Sequence, residues 1–489
     1  MPVVLVHYHL RPGGVTRVLE TQSEALTRAG LQHVILSGTP YEGPCSLPVV
    51  VVPGLAYRGK GSDDEAQGEA LFEGVRRAAR TVLQCEPSCW HVHNPTLGKN
   101  ALFPGLIARL AELRIPLVLH LHDFAEEGRP LNYQALRSEN QLYPIAPQIR
   151  YTVITSRARK LLVSAGVPAD QCTLLPNAVD PSFLPAESHS PAGALTGPLV
   201  LYPVRGIRRK NLGEFCLLAS LAPQGSAFAL SLQPENPQAK PDYDRWVDVG
   251  CELDLPLSLG VVGTSPPCPG AGSSYGDWIK HATHLMTTSV SEGFGLTFLE
   301  ALALGKPLIG RDLPEITSDF ATPPGSLYQK LLIPSAWVNE LLLREHLHNA
   351  LQRAYRCYGT AVPEQLPEQV HTRLEHFHGG AGYLDFGNLP EELQADVIRK
   401  TRKSPEEVLV AEREDIRPAR AWLSEALEKR TTPEASSTLA AYSIDQYARR
   451  HETLYRSLEA ATPVPARWLD KRRILALFLR PEHFHFLRT

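Results

Sequence analysis

The sequence predicts an α/β protein with two Rossmann-like, doubly wound domains that face each other across a cleft. Two series of short apolar runs alternate with longer segments of helical periodicity, and their spacing is that of βαβ units, which build parallel sheets. A stretch rich in Pro, Ser, Ala and Gly, residues 184–198, separates the two series and indicates a linker. At 489 residues the chain is also too long for a single core.

The first series of apolar runs predicts buried strands in a domain of residues 1–190: 3–7, 34–37, 49–52, 91–93, 117–122 and 151–155. The second series predicts strands in a domain of residues 191–440: 199–202, 227–232, 257–262, 284–287 and 307–310. Residues 326–431 are charged and helical in pattern, which indicates a helical insertion in the second domain. Residues 441–489 predict helices that return to the first domain, and Ser443 is a suitable N-cap for one of them.

The composition argues against several functional classes. Lys and Arg total 49 against 52 Asp and Glu, so charge gives no reason to expect a nucleic-acid partner. Of the 8 cysteines only Cys85 and Cys89 are close together, which favours reduced thiols in a cytoplasmic protein over a zinc site or a disulfide framework. No run of roughly 18 apolar residues occurs, and residues 2–7 lack the basic start of a signal peptide, so we expect no transmembrane segment and no processing.

The most informative segment is a Gly-rich turn that continues into a helix and carries Glu292 and Glu300. Gly293 and Gly295 allow positive φ or close approach of the backbone to a ligand, and they place Glu292 on the loop. Glu300 is then about one turn inside the helix. In the alternative interpretation, Thr297 and Glu300 form a capping box that only satisfies the helix start, but this leaves Glu292 and both glycines unexplained.

This segment resembles, nearly residue for residue, the E-x7-E signature of retaining glycosyltransferases of family 4, and residues 300–309 continue as in that family. A mild departure is Thr297, where family members commonly carry Pro. The resemblance implies a GT-B fold in which a nucleotide-activated hexose binds mainly to the second domain. It implies that Glu300 accepts hydrogen bonds from the ribose, while Glu292 holds hydroxyl groups of the donor sugar. The residues that follow Glu292 complete this predicted donor site: Gly293, Phe294, Gly295 and Leu296.

Four cations follow the predicted strand 199–202 within six positions: Arg205, Arg208, Arg209 and Lys210. Arg can hold two phosphate oxygens through its planar guanidinium and Lys acts as a compact point charge, so the cluster suits a departing diphosphate. The spacing of Arg205 and Lys210 resembles the Arg-x4-Lys diphosphate clamp of the same family, although Val204 and Asn211 replace its usual glycines. Because such cations neutralise the leaving group, we expect no divalent metal and no cofactor. A solvated basic turn is the alternative interpretation.

The first predicted strand leads to Gly13 and Gly14 and then to a helix, an arrangement that offers backbone amides to a phosphate. The pair is similar to the Gly-Gly loop of the same family. It matches neither the Walker P-loop nor the G-x-G-x-x-G fingerprint, which makes a nicotinamide dehydrogenase a poor interpretation. His122 ends the strand 117–122, where family members often carry a His near the reacting carbon, so we predict that it contacts the donor hexose.

Histidines form three His-x-His pairs at predicted strand ends: His7 and His9, His91 and His93, and His120 and His122. A metal centre is therefore an alternative to a sugar site. We expect only one member of each pair to reach the cleft, and we predict no metal. Lone histidines at strand ends more often serve as hydrogen-bonded structural residues.

The predicted acceptor side rests on fewer residues. Arg58 and Lys60 follow the strand 49–52 and could receive an anionic acceptor, with a flexible loop as the alternative, and Asp123 beside His122 is a further candidate. Residues 467–478 could lie on a membrane surface as an amphipathic helix. Packing against the first domain is the favoured interpretation, because the apolar positions leave no clean polar face.

Together these features predict a retaining hexosyltransferase that moves a sugar from a nucleotide-sugar donor to a hydroxyl group of a small soluble acceptor. Its predicted catalytic residues are Arg205, Lys210, Glu292 and His122. None is placed as a covalent nucleophile, so we expect front-face transfer in which the departing phosphate takes the acceptor proton. Two alternatives stay open: a phosphate-dependent disaccharide phosphorylase of the same fold, and a non-catalytic sugar-nucleotide sensor. The sequence determines neither the donor base, nor the acceptor, nor the oligomeric state.

Overall fold

The computed structural model describes residues 1–61, 64–136, 140–179, 197–262, 274–320, 325–380, 382–413, 415–430 and 436–488. Two compact units divide the chain. The first comprises Met1–Ala178, Ala354–Ala361 and Ala440–Arg480, and the second comprises Val179–Arg353, Val362–Leu439 and Pro481–Thr489. The predicted linker, except for residues 197 and 198, and the predicted boundary at residue 190 lie outside the described residues.

The strands are, in chain order, β1 (Val3–His7), β2 (His33–Ser37), β3 (Val49–Val51), β4 (Cys89–His93), β5 (Leu117–Leu121), β6 (Tyr143–Ile145), β7 (Ile149–Val153), β8 (Cys172–Leu174), β9 (Leu199–Arg205), β10 (Ala227–Leu232), β11 (Leu257–Leu259), β12 (His284–Thr287), β13 (Leu308–Arg311), β14 (Ser326–Tyr328), β15 (Lys330–Pro334), β16 (Tyr383–Asp385), β17 (Leu409–Glu412), β18 (Asp415–Pro418) and β19 (Arg467–Leu469).

The α-helices are, in chain order, α1 (Gly14–Arg28), α2 (Asp64–Leu83), α3 (Phe103–Glu112), α4 (Pro130–Ala135), α5 (Ser156–Ala165), α6 (Leu212–Leu221), α7 (Lys240–Glu252), α8 (Tyr275–His281), α9 (Leu296–Ala303), α10 (Pro314–Thr317), α11 (Glu340–Cys357), α12 (Leu366–Glu375), α13 (Glu391–Thr401), α14 (Ala419–Glu428), α15 (Ser436–Ala441), α16 (Ile444–Glu459) and α17 (Lys471–Phe478).

The first unit contains a parallel seven-stranded sheet in the order β3-β2-β1-β4-β5-β7-β8. Side chains of β1 alternate between two apolar layers, as expected of a strand that is buried on both faces. Val4 and Val6 belong to the layer formed with α2, α3, α5 and α17, whereas Val3 and Leu5 belong to the layer formed with α1 and α16. Each strand predicted for this domain lies in the sheet.

The second unit contains a parallel six-stranded sheet in the order β11-β10-β9-β12-β13-β14. Helices alternate with the strands of both sheets, so the predicted doubly wound α/β class is confirmed. The strand order reverses between β1 and β4 in the first sheet and between β9 and β12 in the second. Ligands of such sheets bind outside the carboxyl ends of the strands at these reversal points.

Residues 326–431 contain the expected helices, α11 to α14, and also an antiparallel four-stranded sheet, β16-β15-β17-β18, that the sequence did not predict. These strands are too short for their alternation of apolar residues to be distinguished from a helical pattern. A buried ion network ties the sheet to β13. Arg311 donates to Glu214 at 2.8 and 2.6 Å and to Asp385 at 3.0 and 2.8 Å.

Residues 440–480 belong to the first unit. The predicted packing of residues 467–478 against this part of the chain is confirmed, because β19 pairs with β6 and both Ile474 and Leu475 of α17 are buried. Ser443 caps α16, and its hydroxyl group accepts a hydrogen bond from the Gln446 amide at 3.3 Å. None of the described helices combines the length and the apolar character needed to span a bilayer.

Candidate active site

Glu292 is the centre of a compact group of polar side chains at the carboxyl end of the second sheet. Its Oε1 accepts hydrogen bonds from Lys210 Nζ and from Ser289 Oγ, the latter at 2.5 Å, and its Oε2 accepts one from Arg209 Nη1 at 3.2 Å. The Lys210 and Glu292 side chains are only 8% and 11% exposed. Two cations from the turn after β9 therefore meet one carboxylate from the loop after β12.

Hydrogen bonds to backbone carbonyl groups hold the turn after β9 against the loop after β12. Thr288 Oγ1 donates to the carbonyl oxygen of Lys210 at 2.9 Å, and the Val290 amide donates to that of Arg209 at 3.0 Å. Since neither segment depends on long, mobile side chains for its position, the charged groups are preorganised for a ligand.

The buried ion network of the second unit also reaches this turn. Asn211 ends the turn with φ of +51°, a left-handed conformation that Asn tolerates better than most residues. Its side chain donates to Glu214 Oε2 at 2.9 Å, and Glu214 in turn binds Arg311. Gln394 Nε2 donates to Asn211 Oδ1 at 3.0 Å. The residue next to Lys210 is thus fixed from two sides.

Arg205, at the end of β9, has different partners from Lys210. Its Nη1 donates to the carbonyl oxygen of Gln233 at 3.2 Å, and its Nη2 forms an ion pair with Glu235 at 2.8 Å. The Arg205 side chain is 32% exposed and that of Glu235 is 78% exposed. Exposed ion pairs contribute little free energy, so a phosphate can replace Glu235 at small cost. Arg209, which the sequence analysis named only as a member of the cation cluster, is the arginine that contacts Glu292.

Burial and neighbouring charges set the protonation of the Glu292 group. Burial lowers the pKa of Lys210 to about 8, although Glu292 opposes this shift, and Arg209 adds to it. Burial alone would raise the pKa of Glu292, but Lys210 and Arg209 outweigh burial and hold this pKa below its usual value. At neutral pH the group therefore consists of one carboxylate and two cations, with a net positive charge that suits a phosphate.

Helix α9 begins directly after Gly295, whose φ of +79° lies in the left-handed region that favours glycine. A Cβ at this position would lie 2.7 Å from Ile316 and 2.8 Å from Phe298. Thr297 lies inside the helix and makes no capping hydrogen bond, so the capping-box alternative is wrong. Glu300 is buried in α9, about one turn beyond the loop. The other predicted donor residues differ in exposure: Gly293 is exposed, Leu296 is half-buried and Phe294 is buried.

In the first unit, Gly13 and Gly14 are exposed, follow β1 and begin α1. A Cβ on Gly14 would meet no atom within 4 Å, and one on Gly13 would lie 3.9 Å from the Arg11 carbonyl oxygen. The φ of Gly13, 169°, is extended and open to any residue. Packing therefore does not require glycine at either position.

His122 directly follows β5 and is buried. Its Nε2 lies 2.9 Å from His93 Nδ1, and its backbone amide donates to Asn94 Oδ1 at 2.8 Å. The same Asn94 oxygen accepts from the Asp123 amide at 3.1 Å. Burial lowers the pKa of His122 to about 4, with Asp123 opposing the shift, so the ring is neutral at pH 7. A neutral imidazole can hydrogen-bond a sugar hydroxyl group but adds no positive charge.

The prediction that only one member of each His-x-His pair reaches the cleft assumed that the two members lie on opposite faces of the strand, and this assumption is wrong for His91 and His93 and for His120 and His122. Residues i and i+2 of a strand share one face of the sheet. The rings of His91 and His93 stack with centroids 4.8 Å apart, and those of His120 and His122 stack at 4.1 Å. Because β4 and β5 are neighbours, these four imidazoles form one buried row, which we call the histidine row.

The predicted acceptor residues lie in separate parts of the first unit. The Arg58 side chain donates to Gln67 Oε1 on α2, and Lys60 is exposed. Asp123 follows His122 and accepts a hydrogen bond from Arg129 Nη2 at 2.5 Å. Asp123 is therefore already paired with a cation in this structure.

Two cations near Asp123 were missed by the sequence analysis, Arg129 and Lys99. Burial lowers the pKa of Lys99, nearby Arg129 lowers it further, and Asp123 opposes both effects. Lys99 Nζ lies 5.5 Å from the centre of the Tyr57 ring, whose hydroxyl group shares a hydrogen bond of 3.0 Å with His9 Nε2. These residues come from different connections, so no local motif signals their proximity.

Comparison with known proteins gives a consistent set of relatives. The sequence model of a family described as Glycosyltransferase Family 4 matches residues 12–183. Mannosylglucosyl-3-phosphoglycerate synthase of Petrotoga mobilis is 25% identical over 418 residues, which cover 80% of this chain and 79% of the relative. The GtfA subunit of the UDP-N-acetylglucosamine–peptide N-acetylglucosaminyltransferase of Streptococcus pneumoniae is 34% identical over 124 residues, 25% of this chain and 21% of that protein.

Among solved structures, sucrose-phosphate synthase from Thermosynechococcus elongatus has a similar fold. The alignment has a TM-score of 0.53 and 16% sequence identity, and it covers 94% of this chain and 100% of the other. At this level of identity the likeness concerns the fold, and it extends over both units.

Proposed function

We propose that the chain, which has a GT-B fold, is a retaining hexosyltransferase of the family 4 type that uses a nucleotide-sugar donor. The donor binds to the second unit, and a hydroxyl group of a small acceptor attacks the sugar. The observation that carries the proposal is the contact of Lys210 and Arg209 with Glu292. It supplies fixed cations and a sugar-binding carboxylate at one end of the sheet.

In the proposed reaction, the bond between the sugar and the diphosphate breaks while the acceptor oxygen bonds to the same face of the sugar. Lys210 and Arg209, with Arg205 after release from Glu235, stabilise the charge that develops on the departing phosphate. That phosphate takes the proton of the acceptor hydroxyl group, so no side chain acts as a base. Because protein cations neutralise the leaving group, we propose that transfer needs no divalent metal.

Donor recognition is divided between Glu300 and the loop before it in this proposal. Glu300, buried in α9, accepts hydrogen bonds from the ribose hydroxyl groups, and Glu292 with the following amides holds hydroxyl groups of the hexose. His122 and the Gly13-Gly14 loop of the first unit contribute contacts to the sugar and the phosphates. Support for the loop comes from the two glycines that packing does not require.

For the acceptor, we propose a small hydroxylated compound that carries an anionic group. The first unit places Arg129 and Lys99 near Asp123, and Arg58 and Lys60 follow β3. The name of the Petrotoga relative includes a phosphoglycerate, an anionic group of this type. Cations of the first unit would bind the carboxylate or phosphate of such an acceptor.

The proposal is tested by incubating the protein with UDP-, GDP- and ADP-hexoses and a panel of neutral and anionic acceptors. We expect release of nucleoside diphosphate that depends on one acceptor, a product of matching mass, and an unchanged anomeric configuration by NMR. Added Mg²⁺ or Mn²⁺ should not change the rate. Phosphate-dependent cleavage of a disaccharide without nucleotide would select a phosphorylase instead. Tight donor binding without diphosphate release for any acceptor would select a sensor.

A further inference from the structure

Three members of the histidine row, His91 and His93 of β4 and His120 of β5, lie close enough to share one ligand. Each offers a ring nitrogen, and the three nitrogens lie within 4.8 Å of one another. His91 Nε2 and His120 Nδ1 are 3.0 Å apart. All three side chains are fully buried beneath α1 and α16 in the first unit.

Several nitrogens in this cluster have no hydrogen-bond partner among the described residues: His93 Nε2, His120 Nε2 and, on the facing helix α16, His451 Nε2. The His451 ring stacks on that of His91 with centroids 5.8 Å apart. A buried polar group without a partner destabilises the folded state by roughly 1–3 kcal/mol, so these nitrogens lower the stability of the first unit.

We propose that His91, His93 and His120 bind one divalent transition-metal ion in a structural site of the first unit, with Zn²⁺ as the first candidate. Imidazole nitrogen is a preferred ligand of zinc at about 2.0–2.1 Å, and three His ligands are an established zinc set. Two nitrogens bound to one ion at that distance are at most about 4.2 Å apart, so the rings must move by something on the order of 1 Å. His451 is the nearest imidazole of the facing helix for the fourth position.

The surroundings of His91 fit this role. Its Nδ1 lies 2.8 Å from the Tyr455 hydroxyl oxygen and 3.1 Å from Gln22 Nε2, which leaves Nε2 to face the other histidines. Gln22 Oε1 has no partner among the described residues. The oxygen and nitrogen of a Gln amide are exchangeable by a flip, and the flip would give His91 Nδ1–H a carbonyl acceptor. A ligating His usually makes such a bond through its second nitrogen.

This site is separate from the proposed stabilisation of the diphosphate, which uses Lys210 and Arg209. His93 also contacts His122, so an ion here would fix the position of His122. The inference therefore does not depend on the proposed function. Metal content and thermal stability report on the ion alone, whereas diphosphate release reports on the transfer reaction.

The test is the metal content of the full-length protein, produced in zinc-supplemented medium, freed of any affinity tag and dialysed. We expect about one zinc per chain by plasma mass spectrometry, since a closed imidazole site binds zinc tightly. The variants H93A and H120A should retain less than about a tenth of this zinc. H371A, which removes an exposed histidine of α12, is the matched control and should retain all of it.

Measurements on the wild-type protein test metal binding even if the variants do not fold. Removal of zinc with a chelator under mild denaturant should lower the midpoint of thermal unfolding, and Zn²⁺ alone should restore it. Cobalt in place of zinc should give the visible absorption of a tetrahedral site. Wild-type protein that purifies without metal, and whose unfolding midpoint does not respond to Zn²⁺, Co²⁺, Ni²⁺ or Cu²⁺, would overturn the proposal. Equal zinc in H93A, H120A and H371A would do the same.

Discussion

Lys210 Nζ donates a hydrogen bond to Glu292 Oε1, the same oxygen that Ser289 Oγ contacts at 2.5 Å. A bound sugar hydroxyl group and a diphosphate would therefore meet a carboxylate and an ammonium that already interact. The contact gives Lys210 a fixed position before any ligand arrives. Catalysis by fixed charge depends on such prior placement, because no free energy is then spent on reorganisation during the reaction.

Replacement of Lys210 by alanine tests the charge contact directly. We expect the variant K210A to lower kcat by roughly two to three orders of magnitude, the range found for loss of a major charge contact to a transition state. Rates of diphosphate release with saturating donor provide the measurement. K240A, in which an exposed lysine paired with Asp244 is removed, is the control and should keep the wild-type rate. A K210A protein with native circular dichroism and wild-type kcat would contradict the clamp.

Replacement of Glu300 by glutamine tests the ribose contact. The variant E300Q keeps the shape of the side chain but loses a charged acceptor, so the affinity for the nucleoside diphosphate should fall by roughly 10- to 100-fold. The choice of donor sugar should change little. Isothermal titration with the preferred nucleoside diphosphate checks both variant and wild type, and E368Q, on the exposed side of α12, is the control. Unchanged diphosphate affinity in E300Q would remove Glu300 from the ribose site.

Two alanine substitutions of glycine separate folding from ligand approach. G295A places a Cβ 2.7 Å from Ile316 at a φ of +79°, so we expect a clear fall in the unfolding midpoint. G14A meets no atom within 4 Å at the first position of α1, where alanine suits a helix, so its midpoint should match or exceed the wild type. If the Gly13-Gly14 loop holds the donor phosphates, G14A should nevertheless lose activity. Full activity in a stable G14A protein would rule out that role.

Glu126 predicts a pH dependence of stability in the first unit. Burial raises its pKa to about 7, and the hydrogen bonds that Tyr143 donates at 3.1 and 3.2 Å oppose this only in part. The folded protein thus holds a proton that the unfolded chain releases near pH 4.5, so the contribution of Glu126 to stability falls as the pH rises from 4.5 to 7. Above pH 7 the buried charge costs about 3 kcal/mol.

The variant E126Q removes this titration and keeps an oxygen for the Tyr143 hydroxyl group. Its free energy of unfolding relative to the wild type should therefore improve with pH, from little difference at pH 4.5 to about 3 kcal/mol in its favour at pH 8. Denaturant unfolding at the two pH values, followed by fluorescence, measures the change. A difference between the two proteins that is the same at both pH values would show that Glu126 does not titrate in this range.

Most strands of the two parallel sheets could be predicted because they are apolar runs bounded by helical periodicity, as residues 3–7 and 199–202 illustrate. The exceptions are β8 and β14, which were not predicted as strands. The strands of residues 330–334, 409–412 and 415–418 could not be predicted, because four or five residues in a charged context show no clear periodicity. Their position depends on contacts distant in sequence. Arg311 and Asp385 form one such contact, in which two residues 74 positions apart share a buried ion pair.

In the candidate site, too, some residues could be predicted from local sequence, whereas others depend on tertiary structure. Glu292 and Glu300 could be found because they lie eight residues apart in one short segment. The role of Arg209 depends on which neighbour of Lys210 turns toward the loop after β12. The histidine row could have been predicted from the identical spacing of two His-x-His pairs on strands that follow each other. The prediction needed only the rule that residues i and i+2 of a strand lie on the same face of the sheet. Lys99 carries no such spacing, since tertiary structure brings it near Asp123. Arg129 lies six positions after Asp123 in the same connection, but the pair forms no recognised motif.

The first unit is assembled from three separate stretches of the chain, and its apolar layers need the last of them. Leu454 and Tyr455 of α16 cover β1 and α1, and Leu475 of α17 completes the opposite layer. A nascent chain that has emerged from the ribosome only as far as Ala178 therefore exposes apolar surface until α16 and α17 have been translated. This unit can finish folding only after the residues up to Arg480 have been synthesised, and a protein shortened at Leu439 would be prone to aggregate rather than behave as a smaller enzyme.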